Sequence, residues 1–232
     1  FSETTTASFS ANFYIGAEDT SSTETSTGLA TDNDLDDSIM AGYDFDMVLS
    51  TSFTGEDSLD IDIDAGNAGG AGYAEFDGDS TALDSLQVDG VSYTFPVGGA
   101  TVIVGDNTDG SALFTTACTY GGPSNTLDDC GNVNAGITNG GAMAGASYDF
   151  DNGFTAAVGY AGPESGIMTE ESLDAYGVNV AYTADSYGVS VTYGLIESST
   201  TEEDTYTALN GYYTPEGLPS ISVGYEVGDI GG

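Results

Sequence analysis

The chain has 232 residues and carries 38 Asp and Glu but no Lys, Arg or His, so its formal charge is −38 with no side-chain counterion. Each carboxylate must therefore face water, bind a metal ion, or accept hydrogen bonds from backbone N–H and hydroxyl groups. Phosphate clamps and nucleic-acid grooves depend on basic side chains and are excluded, as is chemistry that needs histidine.

The rest of the composition indicates one folded all-β domain over residues 1–232. The 15 Tyr and 10 Phe, with 39% hydrophobic residues, are too many for a disordered acidic tail. Apolar runs such as Val102-Ile103-Val104 are far shorter than the roughly 20 residues of a transmembrane helix. Strands that cross a bilayer are compatible with this composition.

Polar and apolar residues alternate with a period of two along most of the chain, and the segments are near the length that a tilted membrane strand needs. The eleven predicted strands lie near residues 6–17, 39–53, 58–66, 86–95, 100–105, 141–150, 153–161, 173–183, 187–196, 205–213 and 220–228.

In each of these segments one face is apolar and the other is polar. We predict that the polar face lines an aqueous interior, and its acidic residues are Asp44, Asp46, Asp60, Asp62, Asp64 and Glu226. We predict that the apolar face contacts lipid, so its side chains should be substantially exposed on an isolated protomer; examples are Leu49, Ile61, Ile63, Val189 and Val191. The many Tyr residues near strand ends are interfacial or simply sheet-forming, and the absence of Trp weakens the interfacial interpretation.

The connections between the segments alternate in length. Those at 54–57, 96–99, 151–152, 184–186 and 214–219 are tight and rich in turn residues, whereas those at 18–38, 67–85, 106–140, 162–172 and 197–204 are longer and polar. A Greek-key sandwich has no reason to sort its loops in this way. The pattern favours an antiparallel up-and-down transmembrane β-barrel with short turns on one rim and long loops on the other.

The pairing of the second and third strands can be predicted from charge. Their turn must have an odd length, because a slip of one residue would exchange the two faces. A three-residue turn places Asp46 directly across from Asp64, where like charges repel. We therefore predict a five-residue turn, which pairs Val48 with Asp64, Ser50 with Asp62 and Ser52 with Asp60.

The third long connection, 106–140, holds both cysteines of the chain. Two Cys without His make a zinc site unfavourable, and we predict a Cys118–Cys130 disulfide rather than two free thiols. Closing this loop contributes about 3 kcal/mol in the chain-entropy model. A cross-linked loop is stiff enough to fold back and narrow an opening.

Several stretches resemble the outer-membrane porins of cyanobacteria, particularly marine forms. They are STSFTGEDSLDIDIDAGN (50–67), VDGVSYTFPVGGATVIVGDNTDGS (88–111), ACTYGGPSNTLDDCG (117–131), ASYDFDNGFTAAVGYAG (146–162), LDAYGVNVAYTADSYGVSVTYG (173–194) and ALNGYYTPEGLPSISVGYE (208–226). The resemblance implies a water-filled outer-membrane barrel for passive uptake of inorganic ions and small nutrients, without catalysis or a cofactor.

The chain departs from that family in three respects. Family members usually begin with an S-layer-homology domain, continue into further strands, and carry some basic residues. Bacterial single-chain barrels also have an even number of strands, whereas eleven are predicted here. We therefore expect this sequence to be part of a larger chain.

Other sites have weaker support. Asp32, Asp34 and Asp36 imitate the start of an EF-hand loop, but Asp37 stands where Gly is required and Tyr43 where Glu is required. Carboxylate pairs of the kind used in glycoside hydrolysis arise by chance in so acidic a chain, so no enzyme activity is expected.

Loosely bound calcium or magnesium is compatible with the charge, as is a homo-oligomer such as a trimer.

Two functions follow from these observations. The first is a porin with the lipid bilayer, inorganic cations and small solutes as partners. A cation about 8 Å from three of the interior carboxylates gains roughly 1.5 kcal/mol in water, which salt screens further, so we predict weak cation selectivity. The alternative is an extracellular acidic β-rich filament or matrix subunit whose carboxylates are bridged by divalent cations.

Overall fold

The structure is a computed structural model that describes residues 5–16, 39–68, 84–120, 130–137, 141–169, 173–199 and 202–231. Its strands confirm the eleven predicted segments, with every boundary within three residues of the prediction. They are β1 (Thr5–Gly16), β2 (Met40–Thr51), β3 (Ser58–Gly66), β4 (Gln87–Val97), β5 (Ala100–Asp106), β6 (Ala142–Asp149), β7 (Phe154–Gly162), β8 (Ala175–Thr183), β9 (Tyr187–Ser199), β10 (Glu202–Tyr213) and β11 (Ile221–Asp229). In these ranges there is no helix that could cross a bilayer.

All eleven strands belong to one sheet, in which each strand pairs antiparallel with the next strand along the chain. This is the up-and-down order that the sequence predicts. Within the described ranges β1 pairs only with β2 and β11 only with β10, so the sheet does not close there.

The two faces of the sheet differ in chemistry, as the alternation predicts. One, the apolar face, carries large side chains that no other part of the described structure covers. The predicted exposure is confirmed for Val189 and Val191, which are 49% and 47% exposed. Leu49, Ile61 and Ile63 are half-buried and so are less exposed than predicted, although none of them belongs to the buried core. The opposite side, the polar face, carries the interior carboxylates of β2 and β3. So extended an exposed apolar surface indicates a partner of apolar chemistry.

Aromatic side chains gather on the apolar face where the strands meet the short turns. We call this band the aromatic rim. Its rings stand in contact along the sheet, with centroids 4.8–6.2 Å apart, in the pairs Phe53–Tyr93, Tyr93–Phe95, Tyr148–Phe150, Phe154–Tyr182 and Tyr182–Tyr187. Membrane barrels carry such rings of aromatic residues at the interface between lipid and water.

The turn between β2 and β3 corrects the predicted register. Asp46 lies directly across from Asp64, Val48 from Asp62 and Ser50 from Asp60. The register predicted for the five-residue turn is therefore wrong, and the strands pair in the register of the three-residue alternative. The cause lies in the turn itself. The Asp57 carboxylate accepts hydrogen bonds from the backbone N–H groups of Phe53 and Thr54, and Gly55 supplies a φ of +92°. This turn geometry outweighs the repulsion between two partly solvated carboxylates.

The connections are also less regular than predicted. Short turns occur at 52–57, 98–99, 150–153, 184–186 and 214–220, and long connections at 17–39, 67–86, 107–141 and 163–174. The predicted long connection at 197–204 is wrong, because β9 continues to Ser199 and β10 starts at Glu202. These strand ends contain Ser, Thr and Glu rather than apolar residues, so the hydrophobic alternation ends before the backbone pairing does.

Candidate functional site

Five carboxylates predicted to line an interior lie together on the polar face. We call them the acidic wall: Asp44 and Asp46 of β2 with Asp60, Asp62 and Asp64 of β3. They share a face because alternate residues of a strand point to the same side, and because the observed register aligns these positions. The sequence therefore identified this cluster, although not the pairing within it.

Hydroxyl and backbone groups take the place of cations in the acidic wall. Asp44 is buried and accepts hydrogen bonds from the Asn12 N–H (3.0 Å) and the Tyr14 hydroxyl (2.8 Å). The Ser10 hydroxyl donates to Asp46 at 2.8 Å, and the Ser58 hydroxyl donates to Asp60 at 2.9 Å. Hydrogen bonds of this kind stabilise ionised carboxylates. No set of three or more Cys, Asp or Glu side chains in the described ranges is arranged to hold a metal ion.

In the connection between β5 and β6, residues 107–141, the described residues fold over the polar face. We call it the crossing loop; the structure describes its residues 107–120, 130–137 and 141. The Asn107 N–H donates to the Gly141 carbonyl at 2.8 Å and closes the base of the loop. The Gly110 N–H donates to the Ile137 carbonyl at 2.9 Å. This bond joins the outgoing arm of the loop, residues 107–120, to its returning arm, residues 130–137.

Polar side chains of successive strands bind the outgoing arm. Thr115 N–H donates to Asn179 of β8, Ala117 N–H to Ser190 of β9 and Thr119 N–H to Ser222 of β11, each at 2.9 Å. Every second backbone amide thus meets a further strand, so this arm runs across the strands rather than along them. Asn179 and Ser190 are each 1% exposed. The arm therefore lies directly on the sheet, and side chains of the polar face accept hydrogen bonds from its buried amides.

The returning arm is held by β10 and β11. Asn210 of β10 donates from Nδ2 to the Cys130 carbonyl. The Glu226 carboxylate of β11 accepts from Asn134 N–H (3.0 Å), Asn134 Nδ2 (2.7 Å) and Ala135 N–H (3.0 Å). Glu226 thus lies on the predicted face, but its carboxylate anchors the crossing loop and is not part of the acidic wall.

The predicted Cys118–Cys130 disulfide is present and joins the two arms, with the two Cα atoms 6.1 Å apart. Both cysteines lie beside residues that are bonded to the sheet, namely Ala117 and Thr119 on one arm and the Cys130 carbonyl itself on the other. The cross-link therefore fixes the two arms to each other at the point where they are fixed to β9, β10 and β11.

Apolar packing completes the attachment. A buried cluster lies between the crossing loop and the polar face, and its members are Ile103, Ile137, Met143, Ala161 and Ala175, with Leu113, Phe114 and Ile196 packed against them. Ile137 from the loop has no exposed surface. Burying a side chain of this size stabilises by about 1.5–3 kcal/mol. The loop therefore brings its own apolar residues onto a face that is otherwise polar.

Sequence reasoning did not identify the side chains that anchor the crossing loop. The signal was present in the strands: Asn is disfavoured in strand interiors, yet Asn179 lies in the middle of β8 and Asn210 lies within β10. An Asn on the polar face of a strand has to find hydrogen-bond partners when it is buried, and here it finds them in the loop backbone.

Comparison with known proteins gives the class of fold. The chain is similar to solved structures of a porin from Rhodopseudomonas blastica. A doubly substituted form of that porin matches with a TM-score of 0.62 and 13% identity, over 98% of this chain and 74% of the porin. A triply substituted form matches with a TM-score of 0.56 and 10% identity, over 97% of this chain and 75% of the porin.

At this level of identity the likeness establishes the fold, which is that of a bacterial porin β-barrel. No protein-family model matches the sequence. No curated protein matches it either.

Proposed function

We propose that the protein is an outer-membrane porin for passive diffusion of inorganic ions and small hydrophilic solutes, with a weak preference for cations. The observation that carries the proposal is the crossing loop, which is held on the polar face of a porin-type sheet by side chains of β8, β9, β10 and β11. A loop in this position would narrow the space inside a closed barrel. The likeness to porins points to a channel rather than an enzyme.

The preference for cations is proposed from the distribution of charge. The crossing loop is bonded to β8–β11, whereas the acidic wall lies on β2 and β3 of the same face. The chain has no Lys, Arg or His that could offset these carboxylates. A passage bounded by charge of one sign concentrates counter-ions, and salt weakens the effect.

The placement in the outer membrane is supported by the opposite face of the sheet. Large apolar side chains are exposed there, and the aromatic rim follows the short turns. An apolar band bordered by aromatic residues fits the hydrocarbon layer and its boundary with water. An extracellular filament subunit would need another apolar partner for the same surface.

The finer parts of the proposal rest on the sequence. Membership among the cyanobacterial porins is supported by the sequence stretches that resemble that family. Loosely held calcium or magnesium follows from a charge of −38 in a chain without basic residues. Assembly as a homotrimer is part of the proposal as well, and cross-linking of the protein in detergent tests it.

Liposome swelling tests the transport function. Purified protein reconstituted in liposomes should admit small sugars, and the rate of swelling should fall as the sugar becomes larger. A chelator should leave swelling intact, since the proposed pore is formed by a membrane-spanning β-sheet rather than by divalent bridges. Swelling no faster than in protein-free liposomes, or dispersal of the protein by chelator alone, would contradict the proposal.

A further inference from the structure

Four glycines stand side by side on the polar face, one on each strand from β6 to β9. Gly145 pairs with Gly159, Gly159 with Gly177, and Gly177 with Gly194. We call these four residues the glycine row. Glycine weakens a strand because it has no side chain to pack and loses more backbone entropy than other residues. Four in register across the sheet therefore require a reason, and close approach of another backbone is one such reason.

The crossing loop supplies that reason. A Cβ atom placed on Gly159 would collide with the Gly110 carbonyl oxygen, and one on Gly194 would lie 3.1 Å from the Ala135 carbonyl oxygen. A Cβ atom on Gly177 would lie 2.6 Å from Ile137 Cδ1. The loop thus touches the glycine row with both arms, at distances that a side chain on the strand would not permit.

We propose that the glycine row sets the distance between the crossing loop and the sheet, and thereby how much of the lumen beside the acidic wall stays open. This inference rests on the proposed porin function for its second half only. The hydrogen bonds that loop amides donate to Asn179, Ser190 and Glu226 fix where the loop lies on the polar face. They can form only while the loop backbone lies within hydrogen-bonding distance of the polar face, and the glycine row permits that approach.

The contacts predict a graded response to added methyl groups. At Gly159 the opposing atom is a backbone carbonyl, which cannot move without shifting the loop. At Gly177 the nearest opposing atom is the end of the Ile137 side chain, which can shift without moving the loop backbone, although burial and the Phe114 ring, 3.0 Å from the added Cβ atom, leave it little room. At Gly194 the opposing atoms belong to the Ala135 backbone, which has to give by only a few tenths of an ångström. The displacement of the loop should therefore be largest for Gly159→Ala.

A matched control lies on the opposite face. Gly211 of β10 points to the apolar face, where a Cβ atom would meet its nearest neighbours at 3.5 and 3.7 Å, in ordinary contact. Gly211→Ala changes strand propensity and adds the same methyl group, but it does so away from the crossing loop. Any effect that Gly159→Ala shows and Gly211→Ala does not show is due to the loop.

Hydrogen exchange of the folded protein in detergent tests the contact itself. The amides of Thr115, Ala117 and Ala135 donate to side chains of the polar face and should be protected from exchange in the unmodified protein. In Gly159→Ala they should exchange faster, while the amides of β9 and β10 keep their protection and Gly211→Ala leaves all of them unchanged. Unchanged exchange of the loop amides in Gly159→Ala would overturn the proposal. If that variant does not fold, Gly194→Ala provides the same comparison with a milder contact.

Single-channel conductance then tests the effect on the lumen. Gly159→Ala should shift the unit conductance away from that of the unmodified channel, Gly177→Ala should shift it less, and Gly211→Ala should not shift it. Faster loop exchange with unchanged conductance would overturn the claim that the glycine row determines the open cross-section. Faster loop exchange in a protein that forms no channels at all would instead contradict the porin function and leave the contact established.

Discussion

Asp57 shows how one carboxylate organises a turn in a chain without cations. Its two oxygens accept hydrogen bonds from the Thr54 hydroxyl (2.6 Å), the Tyr93 hydroxyl (2.6 Å) and the Ser52 hydroxyl (2.8 Å), in addition to two backbone amides. The bonds from Thr54 and Tyr93 hold the pKa of Asp57 well below its usual range. The turn is therefore stabilised by the ionised form of the residue.

The stability of this turn should depend on pH. Because the folded-state pKa of Asp57 is depressed, its ionised form contributes stability above the unfolded-state pKa of about 3.9, and the contribution is lost as pH falls through the lower folded value. Asp57→Asn should therefore lower the melting temperature at pH 7 and equally at pH 5. In strongly acidic solution the gap between the two proteins should narrow.

Thermal unfolding in detergent at several pH values measures this gap. Glu56→Gln, an exposed neighbour in the same turn, serves as the control and should melt like the unmodified protein. A gap that is already closed at pH 5 would show that Asp57 is not held ionised by its hydrogen bonds.

At the scale of the strand pair, the register of β2 and β3 leaves a like-charge contact in place. Asp46 and Asp64 lie directly opposite each other, and such pairs destabilise a sheet by roughly 0.2–1 kcal/mol. Asp46→Asn should therefore stabilise the protein by about that amount at low salt, and the gain should shrink as salt is added. Asp60→Asn is the comparison variant, because Asp60 lies opposite Ser50 and repels Asp62 of its own strand, so the gain should be smaller there.

Urea unfolding at low and high salt measures both variants. Equal effects of Asp46→Asn and Asp60→Asn would mean that the facing carboxylates do not interact, or that the strands pair in another register.

The strands themselves were predictable because each one buries or exposes a whole face, and this imposes a period of two over many residues. The register was not predictable from charge alone. The repulsion between Asp46 and Asp64 is weak compared with the set of hydrogen bonds that Asp57 accepts in the turn. Turn chemistry, which was visible in Thr54-Gly55-Glu56-Asp57, was the better guide.

The contacts of the crossing loop also could not be predicted from the sequence, because they join distant parts of the chain. The Cys118–Cys130 bond follows from residue types and is confirmed. The contacts of the loop with Asn179 and Gly177 join residues more than 35 positions apart in the chain and leave no local pattern. The extension of β9 and β10 was missed for a different reason, because polar residues that pair beyond the apolar band lack the hydrophobic alternation.

For the molecule as a whole, the apolar face distinguishes a membrane barrel from an acidic extracellular assembly. Val180 lies in the middle of β8 on this face and is 52% exposed. If lipid surrounds it, Val180→Arg should destabilise the inserted protein by about 2–4 kcal/mol, the range for a basic residue near the bilayer midplane. Ser50→Arg places the same charge on the polar face beside the acidic wall and should be tolerated.

Unfolding from lipid vesicles compares these two variants. Equal tolerance of arginine on both faces would place the apolar face outside lipid and would favour the filament or matrix alternative.

The measurement that tests the account most directly is the reversal potential of the intact protein in a planar bilayer under a salt gradient. The unmodified channel should prefer cations, and the preference should decline as ionic strength rises. Asp60→Asn, Asp62→Asn and Asp64→Asn together should move the reversal potential toward zero. The control removes three acids from the short turns, with Asp151→Asn, Asp185→Asn and Glu216→Gln, and should leave it nearly unchanged. Anion preference in the unmodified protein would contradict the account.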